Sequence, residues 1–143
     1  MKPITAAAAA AALVLAGCAT GRLSDTQRLA LYQQHAGAPV SQIRYRDPIG
    51  WDRIDDQHVV LQMRSNESWL LRLSGPCLQW SNGSPFLGLS SFSGMTLSLF
   101  DKVIAPGSQL SCMIQEIRPL DVKALRAAEK ALRGKAGAQA SGT

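Results

Sequence analysis

Asp55-Asp56-Gln57-His58 places two carboxylates and an imidazole within four residues, and these are side chains that hold metal ions or move protons. The spacing matches no standard metal-ligand motif, and adjacent aspartates ahead of a strand more often shape a turn. With His35 and His58 as its two histidines, the chain has no set from which to build a multi-histidine site. Leu89-Ser90-Ser91-Phe92-Ser93-Gly94 is crowded with hydroxyls. A serine nucleophile elbow, however, needs Gly-x-Ser-x-Gly between a strand and a helix, so a polar loop or edge strand is the better reading. There is no P-loop and no GxGxxG. The sequence therefore calls for no cofactor and no metal. If an active site exists, its acids are Asp55, Asp56 or Asp101, and a glycosidase would hold two such carboxylates about 5 to 10 Å apart in a cleft.

The three cysteines are more informative. Cys18 closes an uncharged apolar run, Ile4 to Ala16, that follows Lys2. The run is too short for a membrane span, which needs about 20 apolar residues, and has the layout of a secretory signal. Leu15-Ala16-Gly17-Cys18 resembles a bacterial lipobox, which implies that residues 1–17 are removed and that Cys18 carries acyl chains as a membrane anchor. In that class an Asp after the cysteine retains the protein in the inner membrane. The residue here is Ala19, so the implied address is the outer membrane, with the domain facing the periplasm. Cys77 and Cys112 remain, and an oxidising compartment favours a disulfide between them. A metal site or a reactive thiol are the alternatives, although two isolated cysteines without CxxC spacing make a poor zinc cage.

Lys and Arg number 15 against 10 Asp and Glu. The excess sits after Pro119, in Lys123, Arg126, Lys130, Arg133 and Lys135, while the body from Ser24 to Arg118 is balanced. The body lacks interleaved basic and aromatic positions, so no nucleic-acid partner is expected. A basic tail near a membrane could touch anionic headgroups, but a solvated helix face is the simpler account.

Positioning these residues falls to short elements. Ser24 caps an expected helix from Asp25 to His35, stopped by Gly37. Strands are expected at Val40 to Tyr45, around Trp51, at His58 to Arg64, and at Trp69 to Leu73, the last two forming a hairpin through Ser65-Asn66-Glu67. A further strand starts at Met95 and ends near Ala105-Pro106-Gly107. The final strand, Cys112 to Arg118, is broken by Pro119, which cannot donate to a ladder. A helix follows over Asp121 to Arg133, with Val122, Leu125, Ala128 and Leu132 as its apolar stripe and Gly134 as its end. The expected fold is mainly β (α+β): a small antiparallel sheet, rolled or sandwich-like, with one N-terminal and one C-terminal helix. The domains read as signal 1–17, lipidated linker 18–23, one β-rich domain 24–134 and a disordered tail 135–143. Arg118, Asp101 or Glu116 is a candidate for a surface or partly buried ion pair. Trp51, Trp69 and Trp80 either fill the core or line a binding surface, for which Trp51 and Trp80 are the candidates.

From about Tyr45 to Arg126 the chain resembles a family of small Gram-negative lipoproteins of unknown function. The residues that carry this are Trp69-Leu70-Leu71-Arg72-Leu73 leading into Gly75-Pro76-Cys77, Phe100-Asp101-Lys102-Val103, and the block from Cys112 through Ile114-Gln115-Glu116-Ile117-Arg118-Pro119-Leu120-Asp121 to Arg126. Members often carry a basic residue after the second cysteine, where this chain has Met113. The resemblance implies the lipid anchor and the Cys77 to Cys112 pairing, and brings no activity with it. The expectation is a non-enzymatic, lipid-anchored periplasmic module that binds an envelope protein or glycan. A small envelope enzyme acting on a glycan or peptide through its acidic residues is the alternative.

Overall fold

The structure is a computed structural model, and it describes residues 22–79, 87–107 and 109–140. Cys18 and Trp80 lie outside the described residues. Helix α1 (Asp25–Gln34) begins with a reciprocal cap. The Ser24 hydroxyl accepts the Gln27 N–H and the Gln27 side chain accepts the Ser24 N–H, which satisfies two donors that have no partner within the helix. His35, not Gly37, closes the helix. Gly37 is small for another reason: a Cβ there would stand 2.9 Å from the Pro119 side chain.

Strand β1 (Gln42–Arg44) and strand β6 (Thr96–Ser98) pair as a two-stranded sheet. The main sheet contains β2 (Gly50–Arg53), β3 (His58–Arg64), β4 (Glu67–Leu73), β5 (Gly88–Ser90), β7 (Lys102–Ile104) and β8 (Ser111–Leu120). Its spatial order is β2-β3-β4-β8-β7-β5, every pair is antiparallel, and it curls into a half-barrel. Side chains alternate between its faces with period two. Val59, Leu61, Leu71 and Ile117 join Ile43 and Leu97 of the small sheet in the main core. Val60, Leu70 and Leu120 point the other way and are covered by Tyr32 of α1 and Leu125 of the C-terminal helix α2 (Val122–Ala140). Both faces of β3 are covered, which explains the uninterrupted buried run Val59-Val60-Leu61.

Three expectations change. The strand after Met95 is two strands, because the chain turns at Leu99 and Phe100 and β7 then joins the main sheet. Strand β8 does not stop before Pro119. It continues to Leu120, with Pro119 opposite Trp69. The Pro119 carbonyl accepts the Gly37 N–H at 2.8 Å. The N and O atoms of one residue face the same side of a strand, so the missing N–H of Pro119 points toward Gly37 and leaves the ladder with β4 intact. Finally, α2 passes Gly134 and reaches Ala140, so residues 135–140 are helical where an irregular tail was expected. Asp121 starts this helix by accepting the Ala124 N–H at 2.9 Å. No described helix is long and apolar enough to cross a membrane.

Cys77 and Cys112 are joined by a disulfide across a separation of 35 residues, with Cα atoms 6.1 Å apart. It ties the segment after β4 to the start of β8. Closing a loop of that size restricts the unfolded chain by about 4 kcal/mol. The double variant Cys77→Ala/Cys112→Ala is expected to lose about that much stability in denaturant unfolding, and reduction of the unaltered protein should produce a similar drop.

Candidate functional site

The three acids singled out in the sequence are engaged by the backbone or by an arginine. The Asp55 carboxylate accepts the N–H groups of Gln57 at 2.8 Å and His58 at 2.7 Å, and lies 2.9 Å from His58 Nδ1. Burial would raise its pKa, but the hydrogen bonds from Gln57 and His58 outweigh burial and hold it below the usual carboxylate range. Asp56 pairs with Arg53, which also reaches Asp25 at 3.4 Å and donates to the Leu78 carbonyl at 3.2 Å. Asp101, only 6% exposed, accepts the Phe92 N–H at 3.0 Å, the Ser98 N–H at 2.7 Å and the Ser98 hydroxyl at 3.0 Å. Asp55 and Asp56 stand between β2 and β3, and Asp101 between β6 and β7. Among the described residues, no three His, Cys, Asp or Glu side chains gather as a metal set.

Of these candidates Glu116 enters an ion pair, and Arg118, among the described residues, does not. The Arg118 guanidinium donates to the Gly37 and Ala36 carbonyls at 2.8 and 3.2 Å, while Glu116 faces Arg72 at 3.9 Å. The reason is the fold: Arg118 lies beside the chain leaving α1, whose carbonyls would otherwise lack donors. Trp51 is half-buried against the main core, as is Trp69, whose Nε1 donates to Glu67 at 3.1 Å.

A cleft of about 300 Å³ opens where α1 and α2 cross the sheet. Gly50, Gln62 and Ser68, aligned across β2, β3 and β4, line it together with Tyr32, Leu125 and Glu129. The Tyr32 hydroxyl donates to Glu129 Oε1 at 3.0 Å across a separation of 97 residues. Burial, then the neighbouring Glu129 charge, pushes the Tyr32 hydroxyl up to about 12. Asp52, at the same cleft, pairs with Arg28, and burial still raises its carboxyl above the ordinary value against the pull of that guanidinium. The cleft thus offers a hydroxyl and two carboxylates, each already holding a partner. No spacing in the sequence pointed to this set, because the helices bring it together from opposite ends of the chain. A neutral Tyr32 is favoured in the folded state, so its contribution is complete below the ordinary tyrosine value near 10 and disappears as pH rises toward 12. Stability measured across that window should fall, and Tyr32→Phe should flatten the fall.

The second feature is an apolar tip. Phe92 is fully exposed, Phe100 is 79% exposed and Met95 73%. Phe100 has φ of 80°, the left-handed region that a bulky residue rarely occupies. Asp101 joins the two loops, since it follows Phe100 and accepts the Phe92 N–H. Ser91 and Ser93 brace the first loop: the Ser91 hydroxyl donates to the Thr96 carbonyl at 2.5 Å, and the Ser93 hydroxyl accepts the Met95 and Thr96 N–H groups. Ser91 and Ser93 are therefore turn residues, and Ser90 ends strand β5. A phenylalanine set among serines was the available signal for the tip. Phe100→Gly is expected to raise stability by about 1 kcal/mol by relieving the backbone. Asp101→Ala is expected to cost about 3 kcal/mol by leaving buried donors unpaired, with thermal unfolding as the measurement for both.

No curated protein and no solved structure matches the chain. One family does: its model spans residues 1–136, from the apolar N-terminal run through the sheet and most of α2. The chain accordingly belongs to a family of unknown function (DUF6491).

Proposed function

We propose that this protein is a non-enzymatic envelope binding module, held by acyl chains on Cys18 to the periplasmic face of the outer membrane, and that it binds through the tip formed by Phe92, Met95 and Phe100. The observation that carries this reading is the exposure of those three side chains on loops braced by a buried carboxylate. Exposed apolar clusters rimmed by polar residues mark interaction surfaces. Asp55, Asp56 and Asp101 already serve the backbone or an arginine, which supports binding over catalysis. The anchor rests on Leu15-Ala16-Gly17-Cys18 and the outer-membrane address on Ala19.

A small envelope enzyme acting on a glycan or peptide is the second reading. The observation in its favour is the cleft that holds Asp52, Glu129 and Tyr32 together.

The test places a photoreactive benzoylphenylalanine at position 92 and irradiates intact envelopes. A discrete adduct on the protein, absent when Cys18→Ala frees it from the membrane, is the expected result. Uniform background labelling in both forms would remove the binding reading. Turnover of envelope glycans or peptides by the purified protein, abolished by Glu129→Gln, would replace it with the enzyme.

A further inference from the structure

We infer that the ligand of the tip is the anionic phospholipid surface itself, with Phe92, Met95 and Phe100 entering the boundary between headgroups and acyl chains and Arg44 and Arg46 meeting the phosphates. The inference rests on the reading of the tip as a binding surface and names what it binds.

Three segments distant in sequence build the surface. The Phe92 N–H on the Asp101 carboxylate sets the loop 91–95 beside the turn that carries Phe100. Strand β1 flanks the loop on its other side, with Arg44 opposite Thr96 and the Tyr45 N–H donating to the Met95 carbonyl at 2.8 Å. Between Arg44–Arg46 and Gly94–Thr96 lies an open depression of about 670 Å³. Lys102 and its register partner Met113 are exposed on the other face of the main sheet and take no part in this surface.

The charges favour a phosphate surface. Arg44 and Arg46 are exposed, and no ion pair engages either of them among the described residues. Asp47 is the exposed carboxylate of this group, and Asp101 is buried and occupied. Apolar side chains beside unpaired cations are the pattern of a surface that lies in a bilayer interface, where aromatic and aliphatic groups enter the acyl boundary and Lys or Arg meets anionic lipid. Chain length permits the contact. Cys18 stands six residues before Ser24, a tether of at most about 20 Å when extended, so the anchored domain stays beside the bilayer. Fixed loops also lose little conformational freedom on contact.

The experiment reconstitutes the full chain into vesicles of phosphatidylethanolamine with phosphatidylglycerol that contain a lipid bearing a photoreactive acyl chain, and maps the adducts by residue. Adducts at Phe92, Met95 and Phe100 are expected. Phe92→Ser/Phe100→Gly should abolish them, the glycine at 100 guarding against loss of fold. Arg44→Gln and Arg46→Gln should each weaken them about five-fold with the anionic lipid and leave neutral phosphatidylcholine vesicles unaffected. Adducts confined to the segment near Cys18, or equal labelling of the tip variant, would overturn the inference. If the tip stays unlabelled in pure lipid while position 92 crosslinks to a protein in envelopes, the lipid assignment fails and the binding reading survives. Intact mass reports acylation separately, and tip adducts on an unacylated chain would uphold the inference while removing the anchor.

Discussion

Strand β8 is the constraint on which the rest of the structure depends. Its ten residues pair with β4 along Ile114 to Leu120 and with β7 along Ser111 to Met113, and the chain leaving α1 docks on its free edge through Gly37 and Val40. A strand buried in the middle of a sheet must find a partner for every N–H and C=O. The register of β8 against β4 shifts between Arg72 and Leu73. Cys112 near its start fixes it to the segment after β4, and Asp121 just past its end starts α2. A proline fits this central position because its missing donor faces the incoming chain and not the ladder.

Covering both faces of one small curled sheet takes two different layers. The β1–β6 pair closes one side and the two helices close the other, each over its own apolar cluster. The helix layer stops short of β5 and β7, where the outer face shows Lys102, Ile104 and Met113. Polar contacts hold the helices in place: Arg28 and Arg53 of neighbouring elements share Asp52, Asp25 and Asp56, and Tyr32 reaches Glu129. Exposed pairs of this kind contribute little each, so the buried Tyr32, Leu70, Leu120 and Leu125 supply most of the adhesion.

Asp101 shows how a carboxylate in a suggestive place can be spent on structure. Buried in a turn, it gathers donors from Phe92 and Ser98 while its own carbonyl accepts the Ile114 N–H at 2.9 Å. It therefore links the two exposed loops to the central strand. A buried acceptor without these donors would be costly. With them it fixes a tip whose Phe100 holds a conformation better suited to glycine.

Much of the fold was legible because its causes are local. The Ser24 and Gln27 cap, the His58 to Arg64 alternation, the Ser65-Asn66 turn and the stripe of α2 depend on neighbours within a few residues, and each element lies close to where the pattern put it. Pro119 and Gly134 misled because local propensity was overridden, the first by a strand edge that needed no donor and the second by a helix that accommodates glycine. The functional features were hardly legible at all. Asp55, Asp56 and Asp101 stood out by type, but tertiary contacts assigned them to turns and an arginine, while Tyr32, Asp52 and Glu129 met only because α1 and α2 cross the same sheet. Sequence by itself determined the element types, the β-rich class and which residues are apolar. Only the tertiary structure decided which of those apolar residues stay outside, because exposure at Phe92 and Phe100 depends on a carboxylate and a strand pairing that no sequence window contains.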